Sequence, residues 1–172
     1  MAGIRQSMAG CRKRPTESFA TVVTTETLSF STHRRVYMKS QNALSPVAVA
    51  QKYFDSLASG DLATLGSLLA EDIVWHQPGK GSLSKTYHGK AEVFALFGKF
   101  MTISEGSFRI DSVANIMANG DLVSATLHFQ AQKANGQAIA MNGVDLMKIQ
   151  NGLISEMHLF SADISAEDAF WG

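Results

Sequence analysis

Five side chains stand out for their type and placement. Tyr53 lies in a helix-patterned stretch, and Asp145 sits mid-strand between Val144 and Leu146. A carboxylate between apolar neighbours is either buried and paired or turned into a pocket, because burying a lone charge is costly. His76 ends the run Ile73-Val74-Trp75-His76. Imidazoles titrate near neutrality, which suits a proton carrier. Strict alternation sets His76 opposite Trp75 and Gln77, but alternation often fails where a strand ends, here at Pro78. Glu156, His158 and Phe160 alternate, so a strand holds all three on one face. Glu156 and His158 form either an acid–base pair or an ion pair on a wet surface; His128 is similar and weaker. Each of these residues also has a plain structural role open to it, such as a core tyrosine bonded to backbone.

The chemistry these residues allow is metal-free acid–base work. The five histidines show no ligand spacing of the His-Glu-x-x-His kind, and the single cysteine, Cys11, lies near the N-terminus. No metal and no cofactor is therefore expected, and there is no phosphate loop or dinucleotide fingerprint. Met117, Met141, Met147 and Met157 fall in strand patterns and read first as adaptable core, though a Met-lined cavity suits a flat apolar ligand.

Composition narrows the class. With 172 residues, 45% hydrophobic and 17% charged, the chain has enough apolar content for one domain with a real core. No apolar run approaches the roughly 20 residues that span a bilayer, so no membrane segment is expected. Residues 1–40 hold seven of the 15 basic and two of the 15 acidic residues, which leaves eight and 13 for residues 41–172, a net of −5. An acidic domain without a basic stripe argues against nucleic acid. Residues 1–40 lack apolar periodicity and are rich in Arg, Ser and Thr. They read as a disordered leader from an over-long start, with Met38 as the natural beginning and a cytoplasmic location, or as an organelle transit peptide.

The elements that must position the chemistry begin at Ser45-Pro46, a cap followed by proline at the first helical position. Val47, Ala50, Phe54 and Leu57 keep helical spacing, with Tyr53 on the same face. Gly60 stops that helix, Asp61 caps the next, and Leu62, Leu65, Leu68 and Leu69 form its stripe. Asp72 to Gln77 reads as a short strand, and Thr86 to His88 as its return. A third helix after Gly89 aligns Val93, Phe94, Phe97, Phe100 and Met101. Asn119-Gly120, Asn135-Gly136 and Asn151-Gly152 recur every 16 residues as hairpin signals. They separate strands over 108–117, 122–132, 138–149 and 153–160. Gly143, inside one of them, reads as a bulge or bend. Strands this long twist strongly. The expected architecture is α+β: a cone-shaped, curved antiparallel sheet wrapped around three N-terminal helices, with a hollow between them as the pocket.

The element order resembles the nuclear-transport-factor-2-like superfamily, and the residues follow it. Gln51-Lys52-Tyr53, Ala58-Ser59-Gly60-Asp61-Leu62 and Leu69-Ala70-Glu71-Asp72 are similar to the opening of ketosteroid isomerases and SnoaL-like polyketide cyclases. Trp75-His76-Gln77-Pro78-Gly79, Thr86-Tyr87-His88-Gly89-Lys90 and Asp168-Ala169-Phe170-Trp171 resemble segments of SnoaL-like proteins. The resemblance covers residues 45–172. The isomerase site uses a carboxylate base plus an oxyanion hole of a tyrosine and a protonated aspartic acid. The resemblance implies that Tyr53 falls on that tyrosine and Asp145 on that aspartic acid. The base position falls on Gln77, which has no titratable acceptor, so that shuttle cannot run as built.

Two readings follow. In one, the protein moves a proton on a small carbonyl-bearing or polycyclic compound: His76 or the Glu156/His158 pair is the base, Tyr53 and protonated Asp145 hold the enolate oxygen, and Trp75, Gln77, Phe97, His128, Met141 and Phe160 line the ligand. In the other, the same fold is a non-catalytic binder of a small apolar ligand or a dimerisation module. The resemblance implies a homodimer through the outer sheet face. Convergence of Asp145 and His76 into one cavity favours the first reading, and divergence favours the second.

Overall fold

The computed structural model describes residues 44–172; the expected leader lies outside the described residues. Helix α1 (Pro46–Ser59) starts where Ser45 accepts a hydrogen bond from the Ala48 amide at 3.2 Å. It ends at Gly60, whose left-handed conformation (φ 69°) turns its amide back to the last carbonyls. Asp61 caps helix α2 (Leu62–Leu68) through the Thr64 amide at 3.0 Å. Strand β1 (Leu69–His76) pairs antiparallel with the short β2 (Thr86–His88), and helix α3 (Gly89–Ile103) follows. Four long strands come next: β3 (Arg109–Asn119), β4 (Leu122–Gln132), β5 (Ala138–Gln150) and β6 (Leu153–Ser161).

The strands form one six-stranded sheet in the order β2-β1-β6-β5-β4-β3. The expected α+β class and curved, helix-covered sheet hold, with two corrections. The sheet is mixed rather than antiparallel throughout, because β1 runs parallel to β6. There is also a fourth helix, α4 (Ile164–Trp171), capped by Asp163 through the Ala166 amide at 2.9 Å. Among the described residues no helix is long and apolar enough to cross a membrane. The hairpin at Asn151-Gly152 has both residues at positive φ (54° and 80°), the left-handed pair that matches strand twist.

The core lies between the sheet and the helices. One row across the inner face runs Val123, Met147, Met157 and Trp75, all essentially buried. Helix α4 is held to the loop after β1. The Asp168 carboxylate accepts hydrogen bonds from the Lys80 and Gly81 amides at 2.9 Å and from the Ser84 hydroxyl at 3.2 Å. The Gly172 carbonyl accepts from the Ser82 amide.

Gly143 is no bulge. It keeps register with Leu127 and Ser161, and what it supplies is a close approach: a Cβ there would lie 2.9 Å from the Phe160 carbonyl oxygen. The neighbour is backbone in a paired strand, so it has little freedom to yield. Gly143→Ala is expected to destabilise the domain by about 1–3 kcal/mol, read as a lower urea midpoint with an unchanged slope.

Candidate functional site

Which side of the sheet each candidate faces is fixed by strand phase. On β5, Asp145 points inward with Ile139, Met141, Met147 and Ile149, next to Ala125 of β4 and Leu159 of β6. Tyr53 approaches it from α1, close enough for the Asp145 charge to raise the Tyr53 phenol. On β1, Trp75 and Gln77 point inward, and His76 points to the outer face opposite Thr86 and His158. Asp145 and His76 therefore diverge.

Strand β6 separates the two readings of Glu156 and His158. The resemblance implies that their face, with Phe160, looks into the cavity, and unbroken alternation from buried Ile154 gives the same; the ion-pair reading keeps them on the surface. In the structure Ile149 pairs with Ile154 but Lys148 pairs with Glu156, leaving Ser155 as an extra residue. This bulge inverts the phase. Met157 and Leu159 face the core, and Glu156, His158 and Phe160 face outward.

The inner polar groups form a connected cluster. The Trp75 indole donates to Gln77 Oε1 at 3.3 Å, and Gln77 Nε2 donates to Glu167 Oε1 at 3.1 Å. Ser161 donates to the other Glu167 oxygen. Tyr53, Gln77, Asp145 and Glu167 are each at most 7% exposed. Burial, then the charge of Glu167, pushes the Asp145 carboxyl up to about 7. Burial also raises Glu167, against hydrogen bonds from Ser161, Trp171 and Gln77 that pull it down. Burial and then Asp145 raise the Tyr53 phenol well above its ordinary value. Glu167 is not among the sequence candidates. Its signal is spacing: Phe170 and Trp171 lie three and four residues on, so Glu167 shares their buried helix face. Met141 is half-buried on this side, and Phe97 packs edge-on to Trp75 at 5.2 Å between ring centres.

The outer face holds the remaining candidates. Glu156 Oε1 lies 3.1 Å from His76 Nε2 and 3.1 Å from His158 Nε2, and the two imidazoles stack with centres 4.1 Å apart. These contacts, the one from His76 foremost, hold the Glu156 carboxyl below its usual range. His76 Nδ1 is 3.2 Å from Thr86 Oγ1. His128 instead joins Asp111, Nδ1 to Oδ1 at 2.6 Å, with Gln130 donating to the second oxygen. A cavity of about 460 Å³ opens on this face, lined by Ser112, Thr126, Asn142, Val144, Phe160 and Ala162 among others. This cavity lies on the opposite side of the sheet from Asp145.

The sequence profile of the SnoaL-like domain matches residues 50–157. The chain belongs to the SnoaL-like family. An uncharacterized protein of Mycobacterium tuberculosis (strain H37Rv) is 27% identical over 124 residues, covering 72% of this chain and 93% of the relative. The structure is similar to that of a Xanthomonas campestris protein of unknown function with a cystatin-like fold, with 44% identity, a TM-score of 0.72, and coverage of 75% of this chain and 99% of that one. A candidate SnoaL-like polyketide cyclase from Mesorhizobium loti shares the fold at 22% identity, with a TM-score of 0.56 and coverage of 68% and 99%.

In this SnoaL-like domain the inner acids set a pH dependence. Asp145 titrates near about 7 when folded against about 3.9 when unfolded, so the folded state holds the extra proton between those values. That contribution to stability is complete below about pH 4 and is lost as pH rises through about 7. Glu167, also raised, acts in the same direction. The melting-temperature advantage of Asp145→Asn over wild type is expected to grow across that window, as measured by thermal unfolding at a series of pH values.

Proposed function

We propose that this SnoaL-like domain binds a small apolar, carbonyl-bearing molecule on the concave side of its sheet and moves a proton on it. The observation that carries the reading is the Asp145 carboxyl, buried within electrostatic reach of the Tyr53 phenol and poised to gain or lose a proton near neutrality. A general acid–base group works best when its pKa lies near the working pH. In this scheme ionised Asp145 takes a proton from the carbon next to the carbonyl and returns it to another position. Tyr53 donates a hydrogen bond to the enolate oxygen that develops.

Gln77, which the resemblance sets at the base position, has a different task here. Its amide links Trp75 to Glu167 and so holds a second carboxyl within electrostatic reach of Asp145. Proton carriage passes to the Asp145/Glu167 pair, and His76 takes no part. The M. loti relative described as a candidate polyketide cyclase supports the ligand class.

A second reading, a non-catalytic binder or dimerisation module, draws on the divergence of His76 from Asp145 and on the outer-face position of the cavity. The two separate in one experiment: hydrogen–deuterium exchange at the α-carbon of a panel of enolisable cyclic ketones in D2O, followed by NMR. Wild type is expected to accelerate exchange of at least one ketone. Asp145→Asn should lower that rate by about 10²–10⁴-fold, Tyr53→Phe should lower it less, and His76→Ala should leave it unchanged. A panel in which ketones raise the melting temperature but none exchanges faster selects the second reading.

A further inference from the structure

We propose that His76, Glu156 and His158 form a binding site for a divalent transition-metal ion of the zinc type on the outer face of the sheet. Three potential ligand atoms from two adjacent strands meet there, all within 4.8 Å of one another. The parallel register sets His76 directly beside His158, and the bulge at Ser155 turns Glu156 to the same side.

The spacing suits a metal. Ligands about 2.0–2.1 Å from a tetrahedral ion lie about 3.3 Å from one another, and both imidazole-to-carboxylate separations are already 3.1 Å. The rings stack with their planes 10° apart, so closing the set requires one of them to turn until both Nε2 atoms point at the ion. Both imidazoles aim Nε2 at one carboxylate oxygen, whereas a simple surface ion pair requires only one imidazole.

A further contact points the same way. A histidine that ligates through Nε2 carries its proton on Nδ1 and generally donates it to a nearby oxygen, which fixes the ring. Thr86 Oγ1 stands 3.2 Å from His76 Nδ1, on the neighbouring strand. The donor set also selects the ion. Two imidazoles and one carboxylate suit zinc, cobalt or nickel, while magnesium and calcium take oxygen ligands. The side chains are 33–40% exposed, so an ion can reach them and a fourth position is left for water.

The site is independent of the proton-transfer reading, since Asp145 faces the other side of the sheet. It is tested by titrating the metal-stripped full chain with zinc chloride in competition with a chromophoric chelator, and by the visible absorption of the cobalt-loaded protein. Wild type is expected to bind one zinc at this site, with the intense cobalt bands of a four-coordinate ion. His158→Ala, His76→Ala and Glu156→Gln should each weaken zinc by at least about tenfold, with circular dichroism confirming that the variants fold. Asp145→Asn should bind zinc as wild type does, and magnesium should not compete. Zinc affinity unchanged in all three variants, as expected if Cys11 and His33 were the ligands, overturns the proposal. So does the absence of zinc binding in the micromolar range.

Discussion

A strand can present a side chain to only one side of its sheet, and the extra residue Ser155 resets that side for the rest of β6. Met157 and Leu159 thereby enter the core, where Met157 packs in the row between Met147 and Trp75. Glu156 and His158 are carried to the opposite face, beside His76. The Asp145/Glu167 pair and the His76/Glu156/His158 cluster lie on opposite sides of one sheet, and one residue of phase puts the β6 members of the second with His76.

The inner group shows what a core demands of its polar members. Asp145 sits in a row with Ala125 and Leu159 and has no cation opposite it. Its neutral form is favoured because ionisation would place a charge among apolar groups with another carboxyl nearby. Glu167 is tolerated differently: Gln77 and Ser161 give its oxygens donors, and Gln77 is in turn satisfied by the Trp75 indole. A chain of neutral donors thus links the aromatic core to the carboxyl pair. No buried side-chain polar atom among the described residues is sealed off without a partner.

The parts legible in the sequence are those with local causes. Strand β4 begins and ends where its alternation and flanking turns set it, and β5 and β6 differ from expectation by one residue at an end. Ser45, Gly60 and Asp61 mark the helix boundaries through caps made within three or four residues. The inward placement of Asp145 and Tyr53 follows from their neighbours' periodicity. The rest depends on distant partners. The parallel pairing of β1 with β6 joins segments some 80 residues apart, and no local pattern announces it. The bulge at Ser155 carries no glycine to flag it, so alternation alone does not decide between the pocket and surface readings of Glu156 and His158. Helix α4 is only eight residues long, and its stability comes from Phe170, Trp171 and the Asp168 clamp rather than from propensity.

That clamp has a consequence for how the protein is made. Asp168 grips amides 87 and 88 positions upstream, and Glu167 reaches Gln77 across 90. During synthesis the sheet can begin to assemble while α4 is still inside the ribosome. The interior acids cannot take up their arrangement until that helix emerges. Until then Gln77 lacks its acceptor and the apolar surface under Phe170 and Trp171 is open to water, so the nascent domain is most exposed to misassociation in the interval before α4 docks.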